Sequence, residues 1–185
     1  MTTALLIIDM QQALCAGDEA AFGIEAVLDR INGLARVARA ADAPVVLVQH
    51  EEGDGPLQAG SDGWQLVQGL QTAAGDLRLR KTACDSFHKT DLHPLLQQRG
   101  VEQLVVCGVQ SEFCVDATVR RALSLGYDVT LAADAHSTVD NGVLTAAQIT
   151  AHHNRTLASL HSFGQRVEAI PAAQVRIAAP RRAAP

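Results

Sequence analysis

Short apolar runs alternate along this chain with longer stretches in which apolar residues recur every third or fourth position. Residues 3–9 (TALLIID) form a continuous apolar run closed by an acid, the pattern of a strand buried on both faces. Ile24, Val27, Leu28, Ile31, Leu34, Ala35 and Ala38 then line one face of a helix over 23–42, which Pro44 stops. Val45–Val48 reads as a second buried strand, and Gly, Asp and Pro mark 51–63 as a loop. Further on the pattern predicts a more exposed strand at 77–80, a short helix at 91–99 and a strand at 103–107. A helix at 111–125, a strand at 128–131, a long helix at 142–163 and a last strand at 166–170 follow. Strands separated by helical crossovers imply a single three-layer α/β/α domain around a mostly parallel sheet, of Rossmann-like, doubly wound type. The domain is expected to span 1–177, with 178–185 as a flexible, Pro-bearing tail.

Composition narrows the function classes. With 185 residues, 48% hydrophobic and 19% charged, the chain has enough apolar material for one ordinary core. Lys plus Arg number 15 against 20 Asp plus Glu, and no basic stripe runs along any element, so nucleic acid is excluded as a first reading. No apolar run approaches the roughly 20 residues needed to span a bilayer, and no basic, cleavable leader opens the sequence, so a cytoplasmic protein without a membrane partner is expected. The four cysteines, Cys15, Cys84, Cys107 and Cys114, show neither Cys-x-x-Cys spacing nor a zinc-type Cys/His pattern.

In a doubly wound sheet, ligands bind beyond the carboxyl ends of the strands. Three polar residues fall there: Asp9 after the first strand, Lys81 after the third, and Cys114 just past the fourth. The turn leading to Cys114, Gly108-Val109-Gln110-Ser111-Glu112-Phe113, is neither a dinucleotide nor a Walker phosphate loop. If Ser111 caps the next helix, Cys114 lies in its first turn, where unpaired N–H groups bias a thiol toward thiolate and can hold an oxyanion. An acid and a lysine converging on that thiol supply proton transfer and charge stabilisation. Each residue also has a plainer reading: a strand-end acid can cap a turn, a lysine can be solvated, and Cys15, Cys84 and Cys107 read as packing residues.

Four segments carry a resemblance to a known family: ALLIIDMQ (4–11), KTACDSFHKTDL (81–92), LVVCGVQSEFCVDATVRRALSLGYDV (104–129) and LAADAHST (131–138). In them the chain resembles the isochorismatase-like cysteine hydrolases, which include nicotinamidases and N-carbamoylsarcosine amidase. The resemblance implies a six-stranded parallel sheet and a catalytic triad of Cys114, Asp9 and Lys81. It implies a thioester intermediate, and a cis peptide between Val109 and Gln110 that aims the backbone N–H of Gln110, with that of Cys114, at the oxyanion.

The departures matter as much. Where nicotinamidases carry an Asp-x-His-x-x-x-x-His metal cluster, this chain reads VQHEEGDGPLQAGSDGW and keeps only His50. The expectation is therefore a hydrolase of non-peptide amide C–N bonds in a small molecule, with no metal and no cofactor. Some members of this broad group resemble hydrolases of amide-containing antibiotics. Alternatives are vinyl ether or ureido-compound hydrolysis, or a catalytically idle scaffold of the same fold. His50 is a candidate substrate contact, and Trp64, Phe87 and Phe113 are candidate walls of the pocket. His136 is expected to bond within its own loop, and His152 and His153 to serve structure or a subunit contact. Family members imply a homodimer or homotetramer.

Overall fold

A computed structural model describes residues 2–178. The tail expected from 178 onward lies, but for its first residue, outside the described residues. Six strands, β1 (Thr2–Ile8), β2 (Val45–His50), β3 (Leu77–Lys81), β4 (Val101–Val109), β5 (Asp128–Ser137) and β6 (Val167–Ile170), form one sheet in the order β3-β2-β1-β4-β5-β6. Every pairing is parallel. The chain lays β2 and β3 on one side of β1, then crosses to begin β4 on the other, so the topological switch point lies between β1 and β4.

Alternation along the strands divides the core into two layers, because successive side chains point to opposite faces. Leu6 and Ile8 of β1 pack with Val106 of β4 under α3 (Leu92–Gln98), α4 (Asp116–Ser124) and α5 (Ala146–Ala158). Leu5 and Ile7 pack instead with Val105 and Cys107 under α2 (Ile24–Ala40), whose Val27, Ile31, Leu34, Ala35 and Ala38 form its buried stripe. All seven residues of β1 are buried, as its unbroken apolar run predicts. No helix among the described residues is long and apolar enough to cross a membrane.

The elements depart from the sequence reading at several places. The helix expected over 142–163 is α5, of 13 residues. Its start is displaced by a capping box in which Thr145 Oγ1 accepts from the Gln148 N–H and Gln148 Oε1 accepts from the Thr145 N–H. Asn141 Oδ1 takes the N–H groups of Val143 and Leu144, which turns the preceding segment. Strand β5 runs on past Leu131 to Ser137: after an irregularity in register it pairs again, Gly108 with His136 and Val109 with Ser137. A short helix, α1 (Gln12–Cys15), follows β1 without a sequence signal strong enough to predict it.

One glycine sets how closely β1 and β4 approach at the switch point. Gly108 has φ 117°, and a Cβ there would lie 2.0 Å from the Ile8 carbonyl oxygen. Only glycine lets the two strand ends come into backbone contact in this way. Asp9 follows one of these ends and the turn to Cys114 follows the other.

Candidate active site

Four adjacent strands each deliver one polar side chain to the carboxyl edge of the sheet. Lys81 ends β3, His50 ends β2 beside it in register, Asp9 follows β1, and Cys114 follows β4 after one turn of chain. Asp9 leaves the strand in a left-handed conformation (φ 51°), one that aspartate tolerates better than most residues.

The lysine ammonium is the hub. Its Nζ lies 2.7 Å from Asp9 Oδ2, 3.1 Å from His50 Nδ1 and 3.2 Å from Cys114 Sγ. The side chains of Lys81 and Asp9 are both fully buried. An ammonium can only donate, so His50 Nδ1 accepts and the imidazole proton sits on Nε2. That tautomer agrees with a His50 pKa held below its ordinary value by burial and by the Lys81 charge.

The electrostatics favour a protonated thiol at rest. Burial pushes Asp9 above the usual carboxylate range despite the pull of Lys81, which makes it a stronger base than a solvated aspartate. Lys81 is pushed up: burial opposes its charge, but Asp9 and Cys114 outweigh it. Cys114 is also pushed up, by burial first and then by the Asp9 carboxylate, with Lys81 opposing. The thiolate bias expected from a helix terminus is therefore corrected: desolvation and a neighbouring carboxylate overcome it.

The local conformation explains part of that correction. Ser111 does not cap a helix. Residues Ser111–Val115 form a wide turn in which the Val115 N–H reaches back five residues to the Gln110 carbonyl (3.1 Å), and α4 begins only at Asp116. The Ser111 side chain is buried and its hydroxyl is engaged with His136. The peptide between Val109 and Gln110, which leads into this turn, is cis.

Asp9, His50 and Cys114 together offer a carboxylate oxygen, an imidazole nitrogen and a sulfur within 4.8 Å of one another. A divalent ion would suit those donors, but the ammonium of Lys81 already bonds all three. The positive charge this cluster accommodates is the protein's own, and a metal would have to displace a fully buried lysine to join it.

The other expected residues divide. Trp64 sits near the cluster: its carbonyl accepts from Gln11 Nε2 (3.0 Å) and Gln49 Nε2 (3.0 Å), and the Arg80 guanidinium lies 5.6 Å from its ring centre. Phe113 is half exposed on the turn beside Cys114. Phe87 is turned away into the core under α3 and α4, stacked on Tyr127 at 6.0 Å. Cys15 and Cys107 are buried as expected, whereas Cys84 is exposed and is not a packing residue. His136 bonds across the fold to Ser111 and Asn154, not within a loop.

Sequence reasoning missed Gln11. Its side chain is fully buried and ties the edge together: Nε2 donates to the His50 carbonyl (2.9 Å) as well as to Trp64, while Oε1 accepts from the His50 backbone N–H (2.8 Å). The available signal is an amide three residues past the apolar run that ends β1 at Ile8.

Comparison with known proteins places this architecture. Residues 3–163 match the model of the isochorismatase domain. The chain is 44% identical over 138 residues to a streptothricin hydrolase of Streptomyces noursei, covering 74% of this chain and 50% of that protein. It thus spans about half the length of the streptothricin hydrolases it matches. It is also 30% identical over 171 residues to the ureidoacrylate amidohydrolase RutB of Caulobacter vibrioides, covering 72% of this chain and 76% of that one. Among solved structures, an isochorismatase family protein superposes with a TM-score of 0.83 at 41% identity, covering 91% of this chain and 97% of the other. An isochorismatase from Pseudomonas putida superposes with a TM-score of 0.85 at 31% identity, covering 94% and 90%. The match to the isochorismatase domain over residues 3–163, together with a six-stranded parallel sheet in this order, makes the chain a member of the isochorismatase family.

Proposed function

We propose that the protein is a cysteine-dependent hydrolase that cleaves a non-peptide amide C–N bond of a small molecule. The observation that carries the reading is the contact of one buried ammonium with both Asp9 Oδ2 and Cys114 Sγ. A lone buried cysteine needs no such neighbours, and a buried ion pair is costly to keep unless its charges have work to do. Similarity to a streptothricin hydrolase supports a hydrolase, and similarity to an amidohydrolase supports this class of bond.

The steps follow from the charges. The thiol proton of Cys114 passes to Asp9, whose raised pKa suits it as a base, and whose Oδ1 has no hydrogen-bond partner among the described residues. The thiolate, 3.2 Å from the Lys81 ammonium, attacks the substrate carbonyl carbon. Backbone N–H groups of Gln110 and Cys114 take the developing oxyanion. Asp9 returns the proton to the departing amine as the C–N bond breaks, which leaves a thioester on Cys114. Water, deprotonated by Asp9, then attacks the thioester carbonyl. The acid product departs and the thiol is restored. Lys81 keeps its charge throughout, and His50, by accepting its third hydrogen bond, fixes the direction in which the ammonium points.

The test is a panel of small amides assayed for ammonia or amine release. Turnover of a panel member by the native protein, lost in Cys114→Ala, is expected. Full turnover by Cys114→Ala would overturn the reading. Release of a pyruvate-like fragment in place of an amine would assign vinyl ether cleavage.

A further inference from the structure

Behind the cysteine turn lies a buried polar cluster that the proposed chemistry does not use. His136, only 2% exposed, projects from β5. Its Nδ1 is 2.8 Å from Ser111 Oγ on the turn, and its Nε2 is 2.9 Å from Asn154 Oδ1 on α5. Ser111 Oγ is in turn 3.3 Å from Thr150 Oγ1, also on α5. Three elements therefore meet on one imidazole.

The direction of every bond in the cluster can be deduced. Asn154 Nδ2 donates to the Ala133 carbonyl (2.9 Å), and a carbonyl can only accept. That fixes the amide with Oδ1 toward His136, so the imidazole must donate from Nε2. In the neutral ring Nδ1 is then an acceptor, and the Ser111 hydroxyl donates into it. The lone pairs of Ser111 Oγ remain for the Thr150 hydroxyl. Burial, which holds His136 down to about pH 4, keeps the ring in this single state across the physiological range.

We propose that His136 is a positioning residue for the oxyanion donors, acting through Ser111. The inference rests on the cysteine-hydrolase reading. Ser111 follows Gln110 directly and precedes Cys114 by three residues, so it lies within the span that carries both proposed donors. The turn is short and wide, and apart from its own backbone bonds the Ser111 hydroxyl is its named side-chain anchor to β5 and α5. Asn154 sets the ring, the ring holds the serine, and the serine sets the angle at which the two N–H groups face the substrate carbonyl. Donor aim matters because a misplaced oxyanion donor loses most of its value in the transition state.

Two reagents separate aim from nucleophilicity. p-Nitrophenyl acetate acylates the thiol through a tetrahedral oxyanion, whereas iodoacetamide alkylates it by displacement at a saturated carbon and forms none. Both rates are measured at Cys114 in a Cys84→Ser background, which removes the exposed thiol. His136→Leu and Ser111→Ala are each expected to slow acylation at least about tenfold, with alkylation unchanged within a factor of about two. The double variant is expected to be no slower than either single one, because both break the same link. His136→Asn, which restores an acceptor near the Nδ1 position, should recover acylation. Unchanged acylation in the folded Ser111→Ala protein, equal losses in both reactions, or independent multiplying effects would each overturn the proposal. If the native protein itself shows no Cys114-dependent acylation, the cysteine-hydrolase reading fails first and this inference falls with it.

Discussion

Asp9 Oδ2 and Lys81 Nζ stand 2.7 Å apart with neither side chain exposed to solvent. Each charge is tolerable inside the protein only because of the other. Lys81→Met is therefore expected to destabilise the fold by about 3–5 kcal/mol, since it strands a buried carboxylate. Asp9→Asn with Lys81→Met together should recover part of that loss. Chemical denaturation of the three variants checks it; a double variant less stable than the lysine variant alone refutes the pairing.

In the proposed mechanism Asp9 acts in its carboxylate form. Because burial raises its pKa, activity should be full above that value and fall as the pH drops through it, on an acid limb lying above the ordinary carboxylate range. Lys81 opposes the rise, so Lys81→Met should move any residual activity's acid limb to higher pH. Asp9→Asn should lower kcat/KM by about 10²–10⁴. The pH profile of kcat/KM on an amide found by the panel measures all three.

The histidine behind the turn should leave a mark on stability. Its pKa is lowered from 6.5 to about 4, by burial above all, with His153 lowering it further and Asn154 and Asp134 opposing. A neutral buried histidine is fully favourable above the unfolded pKa, and its contribution is lost as the pH falls from 6.5 towards 4. The loss amounts to about 3 kcal/mol over that window. Denaturation midpoints between pH 7 and pH 4 should show this slope in the native protein and not in His136→Asn.

The thiols should sort by exposure. Cys84 is exposed, Cys15 and Cys107 are buried, and burial pushes Cys15 up to about 12. A bulky maleimide applied to the folded protein is expected to label Cys84 and spare Cys15 and Cys107 until denaturant is added. Peptide mapping by mass spectrometry reads the outcome, and early labelling of Cys107 would contradict the packing of β4.

Substitution at the switch point should be severe. Gly108→Ala places a methyl group 2.0 Å from the Ile8 carbonyl oxygen at a positive φ that alanine disfavours. A loss of about 4 kcal/mol or more is expected, the range reserved for core clashes and special backbone positions. Gly164→Ala, which also has positive φ but meets no atom within 4 Å, should cost only about 1 kcal/mol and serves as the comparison.

Much of this was legible in the residues, for a physical reason. A wholly apolar run that ends in a charged residue marks both a buried strand and the edge at which the charge emerges, and Asp9 is legible in that way; Lys81 closes a strand that carries two arginines and is marked only by its place at a strand end. Cys114 needed the family motif as well, because nothing in its own neighbourhood distinguishes a nucleophile from a packing thiol. The second half of β5 was not legible: Ala132–Ser137 has no alternation of its own and is held by renewed pairing with β4. Gln11 and His136 were missed as structural links because their partners lie tens of residues away, and sequence spacing does not encode a contact of that kind. Phe87 showed the opposite failure, in which nearness along the chain to Lys81 suggested a pocket wall and the fold placed the ring against Tyr127.

The missing side chain at Gly108 has a further meaning for variation in this scaffold. Where two strand ends touch through main-chain atoms, the interval between the end of β1 and the end of β4 is gauged by covalent geometry and not by the size of any neighbouring side chain. Drift elsewhere in the two core layers can then alter stability while leaving that interval intact. In a scaffold of this kind, the spacing of these two strand ends is the part least open to change.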